Sequence, residues 1–148
     1  KVSYPKKEEE RQIIRMNNSG TFPQPSPVVK PEDISRARKI VKEVYMDEKI
    51  ERYIVDIVYA TRTPEDYNLG QIKDFISFGA SPRASISLSM AAKAYAFIKR
   101  RGYVIPEDVR AVCPEVLRHR VGLSYEAEAE NVTPEDIINQ VINAVVVP

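Results

Sequence analysis

The sequence contains few of the residues that most often build disulfides, metal sites and nucleophiles. It has one cysteine, Cys113, one histidine, His119, and no tryptophan. A single cysteine excludes an internal disulfide, and with a single histidine it cannot supply a zinc cluster or a credible catalytic triad. These counts predict no metal site, and we expect Cys113 to fill space in the core.

Long apolar runs are also missing. None approaches the roughly 18 apolar residues of a membrane span, and the opening KVSYPKKEEER does not follow the pattern of a signal peptide. We therefore expect a soluble, cytoplasmic protein without a membrane span. The chain begins without methionine, which favours a piece of a longer protein.

Neither sign of charge is in excess, because 22 lysines and arginines stand against 21 aspartates and glutamates, for a net charge of +1. A protein built around nucleic acid usually carries a basic stripe. The near-neutral balance therefore disfavours a helical DNA-binding domain, and we expect no nucleic-acid partner. A hydrophobic content of 43% in 148 residues suits one ordinary domain, alone or with a fragment of another.

The five glycines form neither a G-x-x-x-x-G-K-[ST] loop nor a G-x-G-x-x-G turn. Without such a loop the chain has no backbone cradle for nucleotide phosphates. The stretch EVYMDE, Glu43 to Glu48, only faintly resembles the acidic strand end that holds magnesium in nucleotide hydrolases. We interpret Asp47 instead as the N-cap of a helix. No residue of this chain is predicted to be catalytic.

Helical periodicity dominates the rest of the sequence. Apolar residues recur at helical spacing over 34–44, 50–58, 88–98, 109–117 and 137–142. The tripeptide Pro-Glu-Asp occurs at 31–33, 64–66, 106–108 and 134–136, where proline suits the first helical position and two acids suit the positive helix end. These patterns predict a mainly α protein with a bundle of four to five helices.

One segment departs from this periodicity. In GLSYEAEAEN the residues Glu126, Glu128 and Glu130 alternate, which is typical of an exposed strand or loop. We therefore predict a short strand or hairpin near 121–130, with a solvated acidic edge rather than a metal site.

The stretch GASPRAS raises an electrostatic question. Ser81 is a good N-cap and Pro82 suits the first helical position, so Arg83 falls in the first turn of a helix. A cation there is disfavoured by about 0.3–1 kcal/mol. Arg83 is either an exposed or internally paired arginine, or part of an anion site in which a phosphate removes this cost.

The stretch VLRHRV places Arg118, His119 and Arg120 together at a predicted helix end. Basic side chains interact favourably with the negative end of a helix, and this account is sufficient. The alternative is a role at a subunit or nucleotide interface.

Four blocks, GASPRAS, GYVIPEDVRAV, VLRHRV and LSYEAEAENVTPEDI, together and in this order resemble the C-terminal helical lid of MoxR-type AAA+ ATPases, relatives of the magnesium-chelatase ATPase subunit. The resemblance covers nearly the whole chain. It implies a helical lid over 32–148, a Pro-rich linker over 21–31 and the last helix of the AAA+ core over 1–20.

The resemblance also implies roles for residues. The arginine of SPR is the sensor-2 residue of the family, which reaches the phosphates of nucleotide held by the core, and it corresponds to Arg83, with Ser81 as a second candidate for nucleotide binding. ATP and Mg²⁺ are implied for the full-length parent and neither for this chain alone, because Walker A, Walker B, sensor 1 and the arginine finger are all missing.

The implied partners are the AAA+ core of the same chain and neighbouring subunits, usually in a ring of six. Client proteins with von Willebrand A domains are implied as well, acted on in a chaperone-like way. The competing interpretation is a free-standing helical protein-interaction module without any nucleotide function.

Overall fold

The computed structural model describes residues 3–20 and 22–148 and is mainly helical, as predicted, with one small two-stranded sheet. The chain divides into two units, Lys1–Ile34 and Ser35–Pro148.

The first unit contains helix α1, Lys7–Ser19. Glu9 accepts a hydrogen bond of 2.7 Å from the backbone amide of Lys6, which satisfies one free donor at the helix start. The helix ends at Gly20, whose φ of 64° lies in the left-handed region that glycine adopts most easily. None of the residues of α1 is buried. Residues 22–30, which hold three prolines, contain no helix or strand.

The remaining helices follow in close succession. They are α2 Pro31–Glu43, which crosses from the first unit into the second, α3 Glu48–Ala60, α4 Pro82–Ile98, α5 Pro106–Leu117, α6 Tyr125–Ala129 and α7 Pro134–Ala144. Two short 3-10 turns, Pro64–Tyr67 and Gly70–Phe75, connect α3 to α4. All four Pro-Glu-Asp copies begin a helix or 3-10 turn, and Asp47 caps α3 by accepting from the Lys49 amide at 2.9 Å, so both predictions are confirmed.

The core of the second unit is formed by α3, α4, α5 and α7. The predicted faces of α3 and α7 are buried throughout. Helix α4 buries every fourth residue along one line, and the three alanines in it let α5 pack closely; the buried residues are Ala84, Leu88, Ala92 and Ala96.

Two predicted apolar faces are corrected by the structure. The apolar spacing over 88–98 placed Ile98 on the buried face of α4, but Ile98 is 72% exposed. The residues of α4 that are buried lie along a different line, through Ala92 and Ala96. Helix α2 buries none of its residues, and Ile34 and Ile40 are exposed. Spacing alone predicts a face but does not indicate whether anything covers it.

The sheet pairs strand β1, Ile76–Phe78, with strand β2, Gly122–Leu123, in antiparallel orientation. The predicted strand near 121–130 is therefore confirmed at 122–123. The extended acidic edge over Glu126 to Glu130 is wrong, because this segment contains α6. Ser124 accepts a hydrogen bond of 3.3 Å from the Ala127 amide, and burial of Ala127 adds to this capped helical turn.

Among the described residues, no helix is both long enough and apolar enough to cross a membrane.

Candidate functional site

The candidate site is the N-terminus of α4. Ser81 occupies the N-cap position with extended backbone, φ −80° and ψ 169°, as the sequence predicted. Its carbonyl accepts from the Ala84 amide at 2.8 Å, but its hydroxyl makes no capping hydrogen bond. The Ser81 side chain is exposed, so this hydroxyl is available to an external group.

Arg83 lies in the first turn of α4, at the helix end that carries partial positive charge. Its side chain is exposed. Among residues 3–20 and 22–148 it has no carboxylate partner and no side-chain hydrogen bond. Within the described chain, therefore, nothing offsets the unfavourable position of this cation.

A buried threonine holds the segment in front of Arg83. Thr61 follows α3 as its C-cap and is fully buried. Its hydroxyl donates to the Val58 carbonyl at 2.7 Å and accepts from the Ala80 amide at 2.9 Å. The end of α3 and the start of α4 are thereby joined through one side chain.

Gly79 makes this junction tighter still. A Cβ atom at position 79 would lie 2.3 Å from the Thr61 carbonyl oxygen and 2.7 Å from Cγ of Arg62. Real Cβ atoms do not approach a backbone oxygen so closely, so only glycine fits here without displacement of the backbone.

A cleft of about 400 Å³ adjoins the junction and includes Thr61 and Gly79 in its lining. Its basic residue Lys73 pairs with Glu65, and this hydrogen bond raises the pKa of the Lys73 ammonium. Arg62, the other cation of the lining, stacks over the Tyr59 ring at 4.2 Å. Because both cations already have partners, the cleft attracts an anion less than Arg83 does.

The basic cluster of VLRHRV is divided by the structure. Arg118 Nε donates to the Pro114 carbonyl at 3.0 Å, and its guanidinium also pairs with Glu115 and, at 3.4 Å, with Glu135 of α7. Arg118 is therefore held within the fold at the end of α5.

Arg120 instead reaches α4. Its Nε donates to the Val116 carbonyl at 3.0 Å, and its Nη2 donates to the Ser87 hydroxyl at 3.3 Å. Ser87 lies one helical turn after Arg83, so Arg120 is brought to the face of α4 that carries Arg83. His119 is exposed, and its side chain makes no hydrogen bond to any of the described residues.

Thr61 was not identified from the sequence. Its hydroxyl partner is the amide of Ala80, which is 19 residues away. No local pattern indicates that contact, because it exists only once α3 and α4 are packed.

The remaining candidate groups do not form a reactive site. Cys113 is fully buried, and burial raises the pKa of its thiol to about 12. Within the part of the chain that the structure describes, no three His, Cys, Asp or Glu side chains gather as metal ligands.

Comparison with known proteins places this geometry in context. The family model described as AAA lid domain matches residues 71–141, a range that contains Ser81, Arg83 and the VLRHRV cluster and begins after Thr61.

Two curated proteins match almost the whole chain. Chaperone MoxR1 of Mycobacterium tuberculosis is 42% identical over 148 residues, which are 99% of this chain and 39% of that protein. Protein YeaC of Bacillus subtilis is 36% identical over 149 residues, which are 100% of this chain and 44% of that protein. The chain thus spans about two-fifths of the length of these relatives.

A solved structure shows the same fold. The crystal structure of a predicted ATPase from Cytophaga hutchinsonii superposes with a TM-score of 0.88 at 37% identity, covering 99% of this chain and 45% of that one.

Proposed function

Since this chain belongs to the MoxR-type AAA+ ATPases as their lid region, we propose that it closes over a nucleotide held by an AAA+ core, with Arg83 as the sensor-2 residue. In this proposal residues 32–148 are the lid, 21–31 a linker and 1–20 the last helix of the core. The core supplies the phosphate loop and the acidic residues that this chain lacks.

The observation that carries the proposal is the exposed guanidinium of Arg83, which has no partner among the described residues although it stands at the positive end of its own helix. A phosphate would remove that conflict, because a guanidinium binds phosphate through charge-assisted, bidentate hydrogen bonds. The free Ser81 hydroxyl, two residues earlier, is suited to the same anion.

The neighbouring surface of α4 also supports closure of this face onto the core. Ile86 and Met90 follow Arg83 by three and seven residues, on the same helix face, and are 61% and 64% exposed. With Val55 of α3 they line an apolar groove of about 300 Å³. A separate interaction module would account for this groove but not for Arg83, three residues before Ile86 and without a partner among the described residues, whereas closure onto a nucleotide-bearing core accounts for both.

The proposed mechanism is a change of lid position that follows the nucleotide. ATP with Mg²⁺, held by the core, supplies terminal phosphate charge near the lid. Arg83 binds that charge, and its hold weakens when the terminal phosphate leaves, so the start of α4 shifts relative to the core. Because α4 packs along α5 in the core of the lid, this displacement moves the bundle as a unit.

At the level of the whole protein we propose a ring of subunits, with six as the expected number, in the cytoplasm where ATP is supplied. The name of the relative Chaperone MoxR1 supports a chaperone-like role. We propose that the work is remodelling or activation of partner proteins, among them proteins with von Willebrand A domains.

The test is ATP turnover by the full-length parent carrying Arg83→Ala or Arg83→Lys. We expect alanine to lower kcat on the order of 100-fold, since a charge-assisted contact is lost. Arg83→Lys should retain only part of the wild-type kcat, because an ammonium cannot form the bidentate pair of hydrogen bonds that a guanidinium forms. Arg52→Ala, which removes an exposed arginine whose one carboxylate partner among the described residues is Glu48, is the matched control and should leave turnover unchanged. Unchanged turnover in Arg83→Ala would contradict the proposal.

A further inference from the structure

We propose that Thr61 is a positioning residue that sets where Arg83 lies relative to the nucleotide, an inference that rests on the proposed function. The sensor arginine is useful only if its guanidinium is held at a fixed place, because a misplacement of about 1 Å can cost on the order of 100-fold in rate. The position of that guanidinium depends on the contact that fixes the start of α4.

The Thr61 hydroxyl provides that contact. It accepts from the Ala80 amide at 2.9 Å and donates to the Val58 carbonyl at 2.7 Å, and both Thr61 and Ala80 are fully buried. A hydroxyl that is donor and acceptor at once fixes both partners. Ala80 directly precedes the N-cap Ser81, so the C-terminus of α3 determines the position from which α4 begins.

The Ala80 amide makes no second hydrogen bond to any described residue. The Ala80 amide is fully buried, and without its acceptor it would be a buried unsatisfied donor. The Val58 carbonyl, in contrast, also accepts the backbone amide of Thr61 at 3.3 Å. Loss of the hydroxyl therefore disturbs the α4 side of the junction more than the α3 side.

Thr63 is a natural control for the same chemistry. Its hydroxyl donates to the Tyr59 carbonyl at 3.4 Å, so it also bonds to the end of α3. Among the described residues its side chain makes no hydrogen bond to the segment before Arg83, and Thr63 is less buried than Thr61. Replacing each threonine by valine removes one hydroxyl with little change of volume, but only Thr61→Val detaches Ala80.

The experiment compares ATP turnover by the full-length parent in five variants: Thr61→Val, Thr61→Ser, Thr63→Val, Arg83→Ala and the double variant Thr61→Val with Arg83→Ala. We expect Thr61→Val to lower kcat on the order of tenfold or more. Thr61→Ser, which keeps the hydroxyl, should restore most of the rate, and Thr63→Val should match the wild type.

The double variant separates positioning from general structural damage. If Thr61 acts through Arg83, the double variant is no slower than Arg83→Ala alone, because the group being positioned is already gone. If Thr61 merely stabilises the lid, the two losses multiply, and the inference is overturned. It is also overturned if Thr61→Val turns over as fast as Thr63→Val.

Folding is checked by circular dichroism and thermal melting of each variant. If Thr61→Val does not fold, Thr61→Cys takes its place, since a thiol fills similar space but accepts hydrogen bonds poorly. The Thr61→Cys variant should turn over ATP clearly more slowly than Thr61→Ser, and equal turnover rates of these two variants would overturn the inference. Should Arg83→Ala leave turnover unchanged, the proposed function fails and this inference with it. A slow Arg83→Ala beside a normal Thr61→Val refutes the inference alone.

Discussion

Asp108, which is only 1% exposed, receives a bidentate pair of hydrogen bonds from the guanidinium of Arg101, one of them 2.7 Å long. The same carboxylate accepts from the Ile105 amide at 3.0 Å and so caps the start of α5. One acidic side chain therefore joins the loop after α4 to the first turn of α5, the two helices that form the centre of the lid.

Asp108→Ala should lower the free energy of unfolding of the chain by about 2 kcal/mol, because it removes the charge-assisted hydrogen bonds from Arg101 and the cap on the Ile105 amide, while Arg101, whose side chain is 24% exposed, can turn toward water. Urea denaturation followed by circular dichroism measures this. Asp136→Ala is the matched control: Asp136 accepts from the Thr133 amide at 2.9 Å at the equivalent position of α7, but it is exposed and pairs with no arginine in the part of the chain that the structure describes. A loss in Asp136→Ala as large as in Asp108→Ala would contradict the importance of the buried pair.

The chain should lose stability in acid. Burial alone would raise the pKa of Asp108, but the hydrogen bonds from Arg101 and the Ile105 amide hold it below the ordinary 3.8. The stabilisation is therefore complete above pH 3.8 and disappears as the pH falls through the lower pKa of the folded state. Urea midpoints between pH 7 and pH 2 should show a smaller acid-induced decrease in Asp108→Ala than in the wild type. If the urea midpoints of the two proteins decrease in parallel with falling pH, Asp108 is not the source of the acid-induced loss of stability.

Cys113 should not react with thiol reagents while the chain is folded. Its side chain is fully buried, and burial raises its pKa to about 12, so almost no thiolate exists at pH 8. Labelling with a chromogenic disulfide reagent should be slow in buffer and rapid in urea above the unfolding midpoint. Rapid labelling of the folded chain would show that this part of the core opens easily.

Two glycines should differ in their tolerance of alanine. A Cβ at Gly79 would meet the Thr61 carbonyl oxygen at 2.3 Å, whereas a Cβ at Gly122 would meet Cε1 of the exposed Phe78 ring at 2.2 Å. Because the ring can rotate away and the backbone cannot, Gly79→Ala should lose about 1–3 kcal/mol and Gly122→Ala clearly less. Thermal melting of both variants tests this, and equal losses would contradict it.

The helices were predictable because their signals are local. Asp47, Thr133 and the aspartates of three Pro-Glu-Asp copies, at 31–33, 106–108 and 134–136, each accept from a free amide within a few residues, so sequence and structure agree there. The error over Glu126 to Glu130 is also local in origin, since alternation of glutamates was given more weight than the capping serine, Ser124.

The burial of faces and the junction at Thr61 were not predictable in the same way. Ile98 is exposed because α4 packs against α5 through the side of the helix that carries its buried alanines, and Ile98 lies on another side. The position of Arg83 in the first turn of α4 was evident from SPR, but the contact that anchors it joins residues 61 and 80. Contacts between distant segments leave no periodic trace in either segment.

Binding of the terminal phosphate of a nucleotide by Arg83 can be measured by calorimetric titration of the full-length parent. Wild type, Arg83→Ala and Arg52→Ala are each titrated with ADP and with a non-hydrolysable ATP analogue in the presence of Mg²⁺. We expect Arg83→Ala to weaken binding of the ATP analogue on the order of tenfold more than binding of ADP, and Arg52→Ala to change neither affinity. If Arg83→Ala leaves the ratio of the two affinities at its wild-type value, Arg83 does not contact the terminal phosphate and the account is wrong.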